Sequence, residues 1–443
     1  MTAMVQRAPR SKLLGVALVA AAACHHSSSN GAPDAALAAP DASTACVNDD
    51  GCPTGKVCDL IMELCVQCTV TDTAACTGYT PVCGPSETCV ACSAHGQCAS
   101  NVCLPDGACS DGGDVAYVDP TGTDNASCTQ AAPCTSLTSA LATARPYVKL
   151  TGTTDVGGQA VTIADQNVTL LAGSGAILTR TSAGDILDID GSSAVAIYDL
   201  QISGASGSGA GVALPAGASQ QLSLARATVI GNAGGGIVAA GGTVNISQSV
   251  IAGNSGGGIA LTAAQFDLVN NIVTGNGSAG SLYGGIALSA IPTAGAHAID
   301  FNTIAQNLGA PATDTGIACN NALGALLFDS DIIYGNVVDT GAQLGSAGCS
   351  CTYCDVGPGS AAGAHNIDAD PQFQDQFLYP AQGKFDLGDT SPCIDAADSK
   401  TSVDVDIVGN HRPHGSGYDI GAFEAQDFGC RPSASGDRDP LCR

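Results

Sequence analysis

The sequence predicts an all-β protein whose main body is a parallel β-helix, a solenoid of stacked coils, with a short N-terminal capping helix and a disulfide-rich repeat module before it. Its 443 residues include 57 Gly and no Trp, and only 12% are charged. Gly is costly inside helices, so this composition favours short strands joined by many turns. Two repeats support the prediction: a pattern of apolar residues, Gly and Asn at coil-like intervals, and clusters among the 22 cysteines.

Residues 1–23 are predicted to be a signal peptide. Arg7, Arg10 and Lys12 form a positively charged region, and the apolar stretch from Leu13 to Ala23 is too short to span a bilayer. The high cysteine content also indicates an oxidising compartment, because disulfides persist there. The sequence therefore predicts an exported protein.

The segment Ala21-Ala22-Ala23-Cys24 resembles the processing site of bacterial lipoproteins, although that family more often has Leu where this chain has Ala21. The resemblance implies that Cys24 is the lipid-attachment residue and that His25, in place of Asp, favours the outer membrane. Two or more acyl chains would anchor the protein stably. Plain secretion through ordinary signal peptidase and a retained anchor are the alternatives. Residues 24–45 are small, polar and Pro-containing, and are predicted to form a flexible tether.

Residues 46–112 are predicted to form a disulfide-stapled module, since so short a segment buries little apolar area. Its twelve cysteines form three sets of four: Cys46, Cys52, Cys58, Cys65; Cys68, Cys76, Cys83, Cys89; Cys92, Cys98, Cys103, Cys109. Two CxxC pairs join the sets and could suggest zinc, but the crowding of cysteines favours disulfides. Each set permits three pairings, and the sequence does not choose among them.

A short helix is predicted at 135–142, ahead of the first repeat, where a solenoid needs a cap over its exposed coil end. Its apolar residues fall on one face: Leu137, Ala140 and Leu141. Cys128 and Cys134 flank the preceding loop and are expected to form a disulfide.

The coil repeat has an apolar residue, a second one five residues later, and an Asn three residues beyond that, usually after Gly. The asparagines are Asn232, Asn254, Asn276, Asn307 and Asn336, at steps of 22, 22, 31 and 29 residues. A coil of about 22 residues holds three short parallel strands. Gly then supplies corners with positive φ, and Asn stacks into a ladder from coil to coil. The longer steps predict loops inserted at one corner, a common place for a binding face.

This repeat resembles the right-handed parallel β-helix, or pectin-lyase-like, superfamily over residues 115–425. The segment 360–425 is also similar to the closing region of bacterial surface β-helix proteins called choice-of-anchor domains. The motifs that carry this second resemblance are 366–373, 390–396, 404–413 and 419–424. The tail 426–443 contains two further disulfide candidates, Cys430 and Cys442, and no hydrophobic anchor, which a lipid at Cys24 would supply.

Three acidic clusters are candidate sites. Asp404, Asp406 and Asp419 surround Arg412 and could bind Ca²⁺; the alternative is a cap held by ion pairs and turns. In the second cluster, Asp188 and Asp190 are expected to share a strand face, with Asp185 nearby, and in the third Asp329 and Asp331 likewise. No other cofactor is predicted. For the second and third clusters, the alternative to a Ca²⁺ or catalytic role is that the aspartates lie on solvated outer faces.

Catalytic motifs are missing from the repeats. Residues 115–425 contain none of the Asn-Thr-Asp, Asp-Asp or Gly-His-Gly motifs of polygalacturonases, and basic residues are scarce there. Cys349, Cys351 and Cys354 could suggest a metal site, but disulfides are favoured. If Cys24 carries lipid, 21 cysteines remain, an odd number that leaves one free or paired between molecules.

The net charge of −26, from 14 basic against 40 acidic residues, argues against nucleic acid as a partner. Two functions remain. The first is a non-catalytic cell-surface lipoprotein that presents the β-helix for adhesion or glycan binding, with the membrane as partner through its lipid. The second is a polysaccharide lyase or glycoside hydrolase of the pectin-lyase-like fold.

Overall fold

The computed structural model describes residues 45–292, 295, 297–320, 323–336, 341–359, 363–375 and 384–426. They fall into two compact units, one ending at Cys109 and the other beginning at Ser110. Cys24, Cys430 and Cys442 lie outside the described residues. Within the described residues, no helix has the length and apolar character needed to span a membrane.

The first unit is held by crossed disulfides, so the predicted disulfide-rich module is confirmed. In every set of four, the first cysteine pairs with the third and the second with the fourth: Cys46–Cys58, Cys52–Cys65, Cys68–Cys83, Cys76–Cys89, Cys92–Cys103 and Cys98–Cys109. Between residues 45 and 109, regular structure is limited to two hairpins, Val57–Asp59 with Leu64–Val66 and Val82–Cys83 with Cys89–Val90, and to the short 3₁₀ helices Asp49–Gly51 and His95–Gln97. Each disulfide closes a loop of about a dozen residues, which stabilises a fold by about 3 kcal/mol in the chain-entropy model.

The second unit is a parallel β-solenoid of about eight turns, as predicted. After a 3₁₀ turn at Gly112–Asp114 and a strand at Val115–Val118, it is capped by one short helix, Leu137–Leu141. The side chain of Ser136 caps the helix by accepting a hydrogen bond from the backbone N–H of Ser139. The three predicted apolar residues of this helix are buried, which confirms the cap.

The coils stack into three parallel walls. Sheet A has nine short strands: Thr153–Asp155, Ile177–Thr179, Gln201–Ser203, Thr228–Ile230, Val250–Ala252, Ile272–Thr274, Thr303–Ala305, Ile332–Tyr334 and Asp355–Gly357. The other strands form one sheet with two faces. Face B has Val115–Val118, Tyr147–Leu150, Asn167–Ala172, Ala194–Tyr198, Gln265–Val269, His297–Asp300, Leu326–Asp329 and Cys349–Thr352. Face C has Val161–Ala164, Leu187–Asp190, Ile259–Thr262, Ile286–Ser289 and Ile317–Asn320. Two long strands, Ala210–Ala225 and Gly235–Ser247, run from face C into face B.

The predicted asparagine ladder is present. The Oδ1 atom of Asn254 accepts hydrogen bonds from the backbone N and the Nδ2 of Asn232, both at 3.0 Å. Its Nδ2 donates to the Oδ1 of Asn276 at 2.9 Å, and the pattern continues through Asn307 to Asn336. The ladder ends on Gln343, whose Oε1 accepts from the Asn336 amide at 2.8 Å. Every buried amide of this ladder is therefore hydrogen-bonded.

A second ladder runs five residues ahead of the first and was not predicted. It lies at the corner between face B and sheet A, and its members are Ser249, Asn271, Asn302, Asp331, Cys354 and Asn366. The residue just before each member has a positive φ of 50–62°, which turns the chain sharply and aims the member into the core. The second ladder mixes residue types because any small side chain with an acceptor atom can continue it.

The glycine runs have two roles. Glycines just before the ladder asparagines adopt positive φ, as expected: Gly231, Gly253, Gly275 and Gly335. A later glycine leaves room for the ladder, since a Cβ at Gly258 would lie 2.5 Å from the Gly285 oxygen and 3.1 Å from the Asn276 Nδ2. Gly257 is covered by the Tyr283 ring, which a Cβ would approach to 2.2 Å.

The sequence predicted that the extra residues of the long repeats would all lie at one corner. The structure instead divides them between two corners. In the first long coil, eleven residues separate Thr274 from Ile286 and seven separate Ser289 from His297. Both corners of face C therefore absorb part of the insertion. Because the insertion is divided between two corners, each strand stays in register with its neighbours. A slip of one residue would turn the side chains of a strand to the opposite face.

The C-terminal region covers the outside of sheet A, while residues 363–368 continue the last coil, where Ile367 pairs in parallel with Asp355. A hairpin of Phe373–Asp375 and Lys384–Leu387 leads into it. Its apolar residues pack on the outward side chains of the coils in two clusters. The contributing residues are Phe385, Leu387, Cys393, Ala397, Ile407, Ile420 and Ala422 against Ile272, Phe301, Ala305 and Ile332.

Candidate functional site

The three aspartates proposed as a metal site do not converge. Asp404 is exposed. Its backbone carbonyl accepts a hydrogen bond from the backbone N–H of Arg412 at 2.9 Å. Asp406 is buried, with one carboxylate oxygen accepting from the backbone of Val408 and Asn410 and the other from Glu424 N and the Asn410 amide. These bonds use the oxygens that a cation would need.

Asp419 is also buried and accepts backbone hydrogen bonds from Asp395 and Ala425, at 2.8 and 2.7 Å. Burial and the nearby Glu424 carboxylate raise the pKa of Asp419 to about 7. Arg412 donates to Glu424 at 2.9 Å, with both side chains fully buried. Of the three aspartates, Asp406 and Asp419 therefore belong with Arg412 and Glu424 to a clasp that holds the C-terminal region.

In the cluster at Asp188, the neighbouring charged groups make structural contacts. Asp188 and Asp190 do point outward from face C, but Asp185 instead accepts the Ala210 N–H at 2.6 Å. Burial, followed by the charge of Asp185, raises the pKa of Asp188. The buried Arg180 donates to the backbone carbonyls of Asp185 and Gly158 and so is engaged in structure.

Asp329 and Asp331 do not share a face, contrary to the expectation. Ser330 between them has a φ of 61°, which breaks the alternation of the strand. Asp331 turns into the core and joins the second ladder, whereas Asp329 stays on the outer side of face B, where it accepts from the Ser330 hydroxyl. Burial raises the pKa of Asp331 well above its usual value, and its Oδ2 has no hydrogen-bond partner.

The cysteines of the second unit are mostly paired. Disulfides join Cys128 to Cys134, Cys319 to Cys349, and Cys351 to Cys354. Cys393 is the one free thiol among the described cysteines, and it is fully buried. Its Sγ donates to the Asp355 carboxylate at 3.2 Å, and burial raises the pKa of Asp355 to about 6.

The outer side of face C carries small side chains. Along one row of paired strands, the outward residues after Asp188 are Ala213, Val238, Ala260, Ala287 and Ala318. None of these side chains can transfer a proton or bind a metal. This row lies between the corners that hold the inserted residues. Because its side chains are aliphatic, the row itself offers no group for catalysis.

A groove of about 330 Å³ lies on the outer side of face B near the N-terminal end of the solenoid. Its floor is formed by Ala194 and Ala196, which face outward between larger residues of the adjacent coils. The uncharged polar side chains that line it, together with one aromatic ring, are Tyr147, Asn167, Thr169, Gln221 and Ser223. Hereafter this is the face B groove.

Lys149 lies two residues beyond Tyr147 on the same outward side of its strand. Its side chain is 2% exposed, and its Nζ has no hydrogen-bond partner. Burial lowers the pKa of Lys149 to about 8, an effect that the charge of Asp199 partly opposes. Neither Lys149 nor the groove was predicted from the sequence. The sequence feature that could have revealed the groove is the 27-residue step that relates Asn167, Ala194 and Gln221.

The stacked coils define a parallel β-solenoid protein, and the family model that matches part of the chain agrees with this class. A family model described as right handed beta helix region matches residues 153–290. Among solved structures, the chain is similar to the crystal structure of the pectate lyase Pel9A, with a TM-score of 0.42 and 14% identity over 70% of this chain and 96% of the other. No curated protein matches.

Proposed function

We propose that this protein is a non-catalytic surface protein that presents its β-helix for adhesion or glycan binding. The observation that carries the proposal is the face B groove, which offers uncharged hydrogen-bonding side chains and an aromatic ring in a chain of net charge −26. Hydroxyl and amide groups both donate and accept hydrogen bonds, as the hydroxyls of a glycan require.

The positions and hydrogen bonds of Asp331, Asp406 and Asp419 support a binding role over a catalytic one. Asp406 and Asp419 bind backbone N–H groups, and Asp331 lies in the core. General acid–base chemistry needs a titratable group within reach of the substrate. No pair of carboxylates faces the face B groove among its lining residues.

We further propose that the protein is exported and anchored on the outer membrane or cell surface by acyl chains at Cys24. The six disulfides of the first unit support export, because such crosslinks persist in oxidising compartments. Processing should be sensitive to globomycin, and Cys24 should incorporate labelled fatty acid. A Cys24→Ala variant that keeps its membrane location would overturn the anchor.

The function is tested with the purified chain against immobilised neutral glycans and polyuronates. Binding without turnover is expected, followed by surface plasmon resonance and by assays for reducing ends and unsaturated products in the presence of Ca²⁺. Sustained product release abolished by Asp188→Ala would identify the polysaccharide lyase or hydrolase instead. Failure to bind any glycan would overturn the glycan-binding role.

A further inference from the structure

We propose that the face B groove is the ligand site and that its ligand is a neutral polysaccharide lying along the strand Ala194–Tyr198. The inference rests on the proposed function and specifies its site and its ligand class. It depends on the shape of the groove, on the chemistry of its lining, and on the coverage of the other walls.

The shape follows from side-chain size in three successive coils. Ala194 and Ala196 pair in register with Asn167 and Thr169 on one side and with Gln221 and Ser223 on the other. Parallel strands are about 4.8 Å apart, so the larger side chains stand roughly 10 Å apart across an alanine floor. A channel of this width runs along the strand, and its 330 Å³ is within the size range of small-ligand pockets.

The lining selects an uncharged, hydroxyl-rich ligand. Asn167 and Gln221 are exposed and face each other across the floor, so their amides can bind opposite edges of one sugar chain. The Tyr147 ring supplies an apolar surface on which the C–H face of a pyranose can pack. A polyanion would meet no basic side chain in the lining and would be repelled by the net charge of −26.

The other walls of the solenoid are less suited to a glycan. The C-terminal region covers sheet A at Ile272, Ala305 and Ile332. Face C presents the alanine row that includes Ala260 and Ala287, which offers no hydrogen bonds. Beside it lies an outward row of Thr262, Ser289 and Asn320, in which the hydroxyls of Thr262 and Ser289 already hydrogen-bond to each other at 2.9 Å. Of the three walls, as far as the structure describes them, face B near the N-terminal end combines a depression with polar side chains.

The test fills the groove without touching the core. Ala196→Phe places a ring on the half-buried outward floor, and Gln221→Ala removes one amide wall. Ala260→Phe is the matched control, because it adds the same ring at a half-buried outward alanine of face C. Binding of the full chain to dextran, galactomannan, xyloglucan, polygalacturonate and alginate is measured by surface plasmon resonance, and circular dichroism and thermal melting check each fold.

We expect a neutral polysaccharide to bind, with affinity reduced at least tenfold by Ala196→Phe and Gln221→Ala and unchanged by Ala260→Phe. Unchanged binding in both groove variants would overturn the site while leaving the proposed function intact. Binding of polyuronates alone, lost in Ala196→Phe, would overturn the neutral ligand class. Absence of all binding by the wild-type chain would overturn the glycan-binding role together with this inference.

Discussion

Asp331 takes the place of an asparagine beneath Asn302: its Oδ1 accepts hydrogen bonds from the Asn302 backbone N at 2.7 Å and from its Nδ2 at 3.0 Å. The other carboxylate oxygen of Asp331 is buried and has no partner. An amide there could donate to a backbone carbonyl, as the side chains of Asn271 and Asn302 do. The ladder thus contains one residue whose ionised form is unfavourable in the fold.

We predict that Asp331→Asn stabilises the protein at neutral pH by roughly 1–3 kcal/mol, the cost of an unsatisfied buried polar group. Because burial raises the pKa of Asp331 in the folded state, folding favours the protonated acid. The contribution of this group to stability is therefore full below about pH 4, its unfolded pKa, and is lost as the pH rises towards the folded value.

The measurement is guanidinium unfolding of wild type and Asp331→Asn from pH 4 to pH 8. The difference in unfolding free energy between the two should grow with pH. A difference that does not change with pH would show that Asp331 is not protonated in the folded chain.

Asn254→Ala is expected to destabilise the solenoid by roughly 3 kcal/mol or more. The substitution removes the acceptor of two Asn232 groups and leaves the Val229 oxygen and the Asn276 Oδ1 each without one donor. Each buried polar group left unsatisfied costs about 1–3 kcal/mol. Asn245→Ala in the same coil is the control, since Asn245 faces outward from face B. Equal losses in urea unfolding of the two variants would refute the role of the ladder.

Gly258→Ala should destabilise the protein by about 1–3 kcal/mol, the usual cost of overpacking. The added methyl would lie 2.5 Å from the Gly285 oxygen, a backbone atom that cannot move alone. Gly280→Ala is a matched control, because a Cβ there meets nothing within 4 Å. Thermal melting of both variants compares them, and a Gly258→Ala melt as high as that of Gly280→Ala would contradict the prediction.

Arg412→Met should release the C-terminal region. Loss of one partner from a buried ion pair typically costs about 3–5 kcal/mol, because the remaining charge is left unpaired. Hydrogen exchange at residues 404–424 should accelerate while the ladder asparagines stay protected. Arg226→Met is the control, since the Arg226–Asp199 pair is half-exposed and such pairs are worth about 1 kcal/mol or less. Unchanged exchange in the Arg412 variant would show that apolar packing alone holds the region.

The sequence predicted those features that depend on local repetition. Asn232, Asn254 and Asn276 recur at equal steps, and one coil geometry explains them all. The second ladder was missed because its members differ in type, although Ser249, Asn271, Asn302 and Asp331 each lie five residues before a member of the first. Regular spacing was therefore recognised only where the same residue type recurred.

Features that depend on distant parts of the chain could not be predicted. Arg412 donates to the side chain of Asn270, 142 residues earlier, and nothing local marks either residue as its partner. The crossed pairing of Cys46 with Cys58 and of Cys52 with Cys65 also needed three-dimensional information, because each set allows three pairings. The face B groove depends on the register of three coils that are each 27 residues apart.

The covering of sheet A by the C-terminal region has a consequence for biogenesis. Ile272, Ala305 and Ile332 are buried by residues that are synthesised after the coils they cover, from Phe385 to Ala422. A nascent or truncated chain that stops before them presents an apolar strip on an already stacked solenoid, and such strips promote aggregation. Synthesis of this region, more than formation of the coils, is thus the step that protects the solenoid from self-association.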